Sequence, residues 1–465
     1  MAKIRQETIN IILNKAYTLT YHKNDLDKTY EARKEIIFDD ITLTKEEKSE
    51  AIRLLNKYYD YNKIHFDSGK KRICDNCERK CLATLYCEYC IIDYLKANFS
   101  NWTSGNIDVD DLIQKCQIES FAPQKIIEWI SFNKLKNIEN LTKSGYSETY
   151  SADWIEGNYK KWDLKEQQLK RCGSKKVILK KLTNVELANG DWFEEAKSHL
   201  MISSKWNSFA KCYGLTQHPL NGNYMLIMKQ YDMDLKKYLH QNHNQLGWKE
   251  RINIMVQLTK ALSRIHKENI IHRNLHSGNI LYSLHYNYWY ISDLGFCNPA
   301  DKPQNSIYGN LPYIAPEVIA GKEYSLASDI YSLTMLMWEI SSGHPPFINY
   351  ENDDYYLAMN IVNGMRPKFV PGTPLNYKTL MEKCWNANPS KRFKISKFKK
   401  KIMEINKSFV DQKEIELPKP TINSDSIRKL NSKMYNFIDM PEPKNATKEE
   451  QHEFHKTQFS NGKYD

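Results

Sequence analysis

No stretch of this chain restricts its fold more than Ile271-His272-Arg273-Asn274-Leu275-His276-Ser277-Gly278-Asn279-Ile280-Leu281. It is followed, in order, by Ser292-Asp293-Leu294-Gly295, by Ala315-Pro316-Glu317, by Ser328-Asp329-Ile330-Tyr331-Ser332, and by Cys384-Trp385 running to Lys391-Arg392-Phe393. Signatures in this order and at these spacings do not arise by chance. Hydrophobic periodicity supplies the frame around them. Short alternating runs at Ile138 to Leu141, Thr149 to Trp154, Lys176 to Leu182 and Tyr224 to Met228 predict strands, interrupted by a helical stretch from Trp192 to Ile202. Beyond Leu235 helical patterns dominate, with brief strand-like pieces at Ile280-Leu281 and Trp289-Tyr290-Ile291. A small strand-rich unit followed by a larger helical one is an α+β plan.

The first segment resembles the catalytic loop of protein kinases, H-R-D-L-x-x-x-N, with asparagine in place of the aspartate. Asp293-Leu294-Gly295 resembles D-F-G, and Ala315-Pro316-Glu317 the A-P-E that closes an activation segment. Asp329 resembles the aspartate that anchors the catalytic-loop backbone, and Arg392 the arginine that pairs with the A-P-E glutamate. The wording H-R-x-L-H-S-G-N and the Cys384-Trp385 segment look like the tyrosine-kinase-like group. The N-terminal cysteines, Asn101 to Asn106 and Pro441-Glu442-Pro443 resemble large fungal kinase-like families.

The resemblance implies a two-lobed kinase fold that binds ATP and Mg²⁺ between its lobes and acts on protein Ser/Thr hydroxyls. Lys180, in Val177-Ile178-Leu179-Lys180, takes the place of the phosphate-binding lysine, with Glu195 as its partner. Asp293 and Asn279 are the implied Mg²⁺ ligands, since hard cations take oxygen donors. The hinge at Met228 to Tyr231 would lie against the nucleotide.

Three departures weigh against turnover. Asn274 can orient a substrate hydroxyl but is too weak a base to take its proton, and losing a general base costs about 10²- to 10⁴-fold in rate. In the nucleotide-covering loop, Leu141 to Tyr150, Thr142, Ser144 and Ser147 replace all three family glycines around Gly145, limiting close approach of backbone to phosphate. Ile178 stands where a small alanine roofs the adenine pocket, and Thr149 replaces a packing valine. The leading expectation is therefore a protein kinase-like chain of weak or absent activity. A non-catalytic scaffold that engages a partner kinase and a fully active Ser/Thr kinase are the alternatives. In the activation segment, Ser306 and Tyr308 are places where a phosphate would meet Arg273, or simply polar loop residues.

Cys74-x2-Cys77 and Cys87-x2-Cys90 put four thiolates on facing turns, the pattern of a closed structural Zn²⁺ site, with Cys81 as a fifth candidate. The expected division is a helical segment at 1–70, the zinc module at 71–95, a helical connector at 96–136, the kinase-like domain at 137–408 and a flexible tail with short docking segments at 409–465. A capping box at Thr44 to Glu47 opens one N-terminal helix, and Pro123 to Ile130 reads as a late connector helix. The 465 residues carry a formal charge of +11, too modest and too spread to indicate nucleic acid. The basic run Lys391 to Lys401 has Phe393, Ile395, Phe398 and Ile402 at near-helical spacing, the mark of a helix with one solvated face. No apolar run reaches the ~18 residues of a membrane span, and the start has no secretory core, so a cytoplasmic setting is expected.

Overall fold

The computed structural model describes residues 4–20, 25–120, 122–144, 147–182, 192–296, 298–299, 307–348, 350, 353–410 and 432–460. The chain opens with three helices, Gln6–Leu19, Leu26–Asp39 and Lys45–His65, closed around Ile9, Leu13, Ile37, Ala51 and Leu55. The third starts at the expected capping box. Thr44 Oγ1 accepts from the Glu47 N–H at 3.2 Å, and the Glu47 carboxylate accepts from the Thr44 N–H at 3.0 Å. The cysteine-rich stretch follows as a short hairpin, Arg72–Ile73 with Lys80–Cys81, and the helix Glu88–Ala97. Asp60 of the third helix ties it down by accepting from Thr84 N at 2.8 Å and Leu85 N at 3.0 Å.

A six-stranded sheet forms the smaller lobe. Its members are β1 (Glu128–Trp129), β2 (Leu135–Ser144), β3 (Ser147–Trp154), β4 (Lys175–Lys181), β5 (Cys212–Gln217) and β6 (Tyr224–Lys229), in spatial order β1-β5-β6-β4-β3-β2. The first of these corrects the sequence reading. Pro123 to Ile130 forms no α-helix; one 3-10 turn, Pro123–Lys125, gives way to β1, which runs parallel to β5. The Ile126-Ile127 pair favours extended backbone, and Gly214 lets the two chains touch: a Cβ there would lie 1.7 Å from the Glu128 carbonyl oxygen. Between β3 and β4 a hairpin, Tyr159–Asp163 with Gln168–Arg171, leaves the sheet and lays Trp162 and Leu169 on the cysteine module.

The larger lobe is helical. Trp248–Lys267 packs against Ile395–Val410, where Phe398 and Ile402 are fully buried as their spacing predicts. The Arg392 guanidinium grips the Glu317 carboxylate with two bonds, 2.7 and 2.5 Å, both groups buried. Removing one partner of such a pair leaves an unmatched charge in the interior. Arg392→Met is therefore expected to destabilise this lobe by about 3–5 kcal/mol, read by chemical denaturation; a loss below about 1 kcal/mol would show the pair to be energetically idle.

Within the tail expected at 409–465 as a flexible linker with short docking segments, residues 432–460 are docked. They lie along the helical lobe, with Tyr435, Phe437, Met440 and Phe454 packed against its core and a terminal helix at Lys448–Ser460. Lys433–Tyr435 pairs antiparallel with Ile307–Gly309 of the activation segment.

Candidate active site

Strand period places Val177 and Leu179 in the core of the sheet and turns Lys180 to the other face. Its ammonium lies 2.8 Å from Glu195 Oε1, in the first turn of the helix Trp192–Lys205, and 2.7 Å from Asp293 Oδ1. Burial of Ala196 and Leu200 fixes that helix against the sheet. Gly295 is needed beneath it, because a Cβ there would come within 2.6 Å of Glu195 Oε1. Burial alone would raise Asp293 and lower Lys180, but their attraction outweighs it: the carboxyl is held well below its usual range and the ammonium well above. Both are charged at any physiological pH.

The loop carrying Asn274 is held from behind. Asp329 accepts from the backbone N–H of His272 at 2.8 Å and of Arg273 at 3.0 Å, and lies 2.8 Å from His266 Nε2. These bonds stabilise Arg273 in a left-handed conformation, φ +69°. Asn274 thereby reaches Asp293: its Nδ2 donates to Oδ2 at 2.7 Å, and Asn279 Nδ2 donates to the same oxygen at 3.2 Å. Lysine, glutamate, aspartate and two asparagines, drawn from both lobes, thus converge on one cleft.

A family model described as protein tyrosine and serine/threonine kinase matches residues 135–402. The chain belongs to the protein kinase family. Relatives include a "Probable serine/threonine-protein kinase" of Dictyostelium discoideum, 25% identical over 57% of this chain and 19% of its own length. A dual serine/threonine and tyrosine protein kinase of Danio rerio is 32% identical over 36% of this chain, and one of Takifugu rubripes 31% over 36%. The matches span no more than 19% of these larger proteins.

The kinase departures can now be placed. Ionised Asp293 only accepts hydrogen bonds, so the amide nitrogen of Asn274 must face it and Oδ1 is turned the other way. Thr142 and Thr149 stand opposite one another with hydroxyls 2.6 Å apart, joining the two strands of the covering loop. Ser144 and Ser147 end those strands as a register pair, while Gly145 lies outside the described residues. Ile178 stands opposite Met228 in neighbouring strands, at the lobe junction. The Tyr231 hydroxyl accepts from the Lys211 N–H at 3.0 Å and its ring packs on Tyr290. Ser306 is outside the described residues, and Tyr308 is buried rather than a loop-tip residue.

Two site residues escaped the sequence reading. His199, one turn after Glu195, is fully buried and held neutral, brought down to about 3 by burial and then by Lys180. It groups with Glu195 and Asp293 in metal-like proximity, but both carboxylates already bind the Lys180 ammonium. Ser432 of the tail is the other, its hydroxyl 3.2 Å from Asn274 Oδ1. The strand-forming run Met434-Tyr435-Asn436-Phe437 in an otherwise polar tail was its only trace in the sequence.

The cysteines form a second centre. Sγ atoms of Cys74, Cys77, Cys87 and Cys90 all lie within 4.8 Å of one another, with Cys74–Cys90 at 3.7 Å and Cys77–Cys87 at 3.6 Å. A tetrahedron with Zn–S bonds of about 2.3 Å has edges of about 3.8 Å, so the spacing fits that ion. Burial resists ionisation of Cys77, but hydrogen bonds from Arg79 outweigh it and bring the thiol down to about 6. Cys81, buried in the hairpin, forms a second group with Cys87 and Glu88, their ligand atoms within 4.8 Å of one another, but the Glu88 carboxylate already accepts from the N–H groups of Leu82 and Ala83.

Proposed function

We propose that this kinase binds Mg²⁺-ATP between its lobes and transfers phosphate to protein Ser/Thr hydroxyls slowly, if at all. The observation that carries this reading is the Asn274 amide, which joins Asp293 to a seryl hydroxyl yet offers no base. Lys180 would meet the phosphates, Met228 to Tyr231 the adenine, and Asp293 with Asn279 the Mg²⁺, which when bound neutralises charge on the phosphates. The side chains keep the tasks of orienting and shielding. Ser144, Gly145 and Ser147 would cover the nucleotide, at a greater distance than three glycines allow, while Ile178 and Thr149 would narrow the adenine pocket. The motif wording favours the tyrosine-kinase-like group with relatives among fungal kinase-like families. Four thiols holding structural Zn²⁺ suit a reducing, cytoplasmic setting. Among the described residues no helix is long and apolar enough to cross a membrane.

The scaffold reading draws on the same amide, since a site that orients without deprotonating can present a surface to a partner kinase. Nucleotide binding comes first in testing either. Mg²⁺-ATP at about 100 times its dissociation constant should stabilise the chain by about 2.7 kcal/mol, seen as a higher melting midpoint. Lys180→Met should abolish most of that shift, because Asp293 and Glu195 then face the phosphates without a cation. No shift with millimolar Mg²⁺-ATP, and no heat by calorimetry, would rule out a nucleotide-binding kinase.

A further inference from the structure

We infer that the groove between the catalytic loop and Ile307–Gly309 takes an extended, hydroxyl-bearing peptide with a basic residue directly after the hydroxyl, and that the chain's own residues 432–435 fill it. This deepens the kinase reading and rests on it. The pairing supplies the backbone half of recognition: Ile307 stands opposite Tyr435, Tyr308 opposite Met434, and Gly309 opposite Lys433. A strand added to an exposed edge gains affinity from main-chain bonds and specificity from side chains on alternate faces.

Ser432, one residue before the strand, supplies the chemical half. His276 Nδ1 accepts the Gly278 N–H at 3.2 Å, so in the neutral ring the proton sits on Nε2. Nε2–H then donates to Ser432 Oγ at 3.0 Å, and the Ser432 hydroxyl donates to Asn274 Oδ1 at 3.2 Å. One donor and one acceptor, both on the catalytic loop, match a hydroxyl; a methyl group would leave both unmet.

Side chains after Ser432 set the preference. Lys433 pairs with Asp354, on a surface where such a pair selects partners more than it adds affinity. Tyr435 stacks on Phe437 at 5.3 Å, and Phe437 meets Tyr355 at 6.4 Å. Farther along, the tail is strapped down. The Lys444 N–H donates to the Val362 carbonyl at 3.0 Å, and Asn445 Oδ1 accepts the Ala387 N–H at 2.8 Å. Gly364 makes room, since a Cβ there would sit 2.3 Å from Ala446 N. A strand tethered this way competes with any outside peptide at high effective concentration.

The test uses a fluorescent peptide with the sequence of residues 426–440, titrated against the full chain and against full-length Tyr435→Asp/Phe437→Asp. Hydrogen exchange at Ile307–Gly309 reports whether the strand is seated. In the wild type the alternate amides of this segment that point at the tail strand should be protected, and in the variant they should exchange freely. If the strand is seated 90–99% of the time, the wild type should bind peptide about 10- to 100-fold more weakly than the variant. A peptide with alanine at the position of Ser432 should bind the variant several-fold more weakly than the serine peptide. Unprotected amides in the wild type, equal peptide affinity in both chains, or no binding to the opened chain would each overturn the inference. A Mg²⁺-ATP melting shift on the same samples judges the nucleotide reading separately, and a variant that has lost its melting transition is replaced by Lys433→Pro, which opposes the same ladder without touching the aromatic contacts.

Discussion

Asn274→Asp is expected to raise phosphate transfer to a serine peptide by about 10²- to 10⁴-fold, the range a general base contributes. Aspartate has nearly the same shape, and the loop that presents it is fixed by Asp329 through the His272 and Arg273 backbone, not by the Asn274 side chain. The structure adds a condition. Asn274 Nδ2 now donates to Asp293 Oδ2 at 2.7 Å, so the substitution brings a second carboxylate against the first. Two like charges at that distance repel, and one tends to stay protonated unless a cation lies between them. The gain should therefore appear only with ample Mg²⁺, and its Mg²⁺ dependence should be steeper than in the wild type. Measurement in the Tyr435→Asp/Phe437→Asp background keeps the tail from limiting peptide access. Transfer by the unmodified chain as fast as by Asn274→Asp would show that another group takes the proton. No transfer by either, with Mg²⁺-ATP still bound, would place the defect in the glycine-poor loop of Ser144 and Ser147 or in the acceptor site, and would favour the scaffold reading.

The parts legible in the sequence were those where chemistry demands one residue type at a fixed interval. Lys180, Glu195, Asn279 and Asp293 meet in the cleft because each lies at a fixed step from a strand, helix or turn. The cysteines meet because two C-x2-C turns leave little freedom. What escaped depends on partners far away in the chain. Glu128–Trp129 is too short to show a period, and only Gly214 makes its parallel pairing possible. The Tyr159 to Arg171 hairpin buries Trp162 and Leu169 against cysteines some distance earlier, not against its own sheet. Beyond the strand-forming run at Met434 to Phe437, nothing in the local pattern brings Ser432 to the catalytic loop. Its neighbours look like a polar tail until the edge at Ile307–Gly309 gives them somewhere to pair.

That hairpin makes the zinc prediction more than local. About one Zn²⁺ per chain should bind through Cys74, Cys77, Cys87 and Cys90, and structural Zn²⁺ sites contribute about 10–16 kcal/mol of apparent binding energy that is spent on folding. Cys87→Ser/Cys90→Ser should abolish stoichiometric zinc by metal analysis, while Cys81→Ser, outside the four-thiol cluster, should keep it. Without the ion, the two C-x2-C turns lose the bonds that hold them together, and the helix Glu88–Ala97 loses the anchors at its first turns. Trp162 and Leu169 pack on this same cluster, so the Tyr159–Asp163 and Gln168–Arg171 strands should loosen with it. Hydrogen exchange after chelation should accordingly rise over residues 72–97 and 159–171. Amides of Trp248–Lys267, in a separate core, should stay protected. Full zinc occupancy in the double variant would refute the four-thiolate site. Loosening of the module with an unmoved hairpin would show instead that the kinase lobe supports the hairpin without help from the metal.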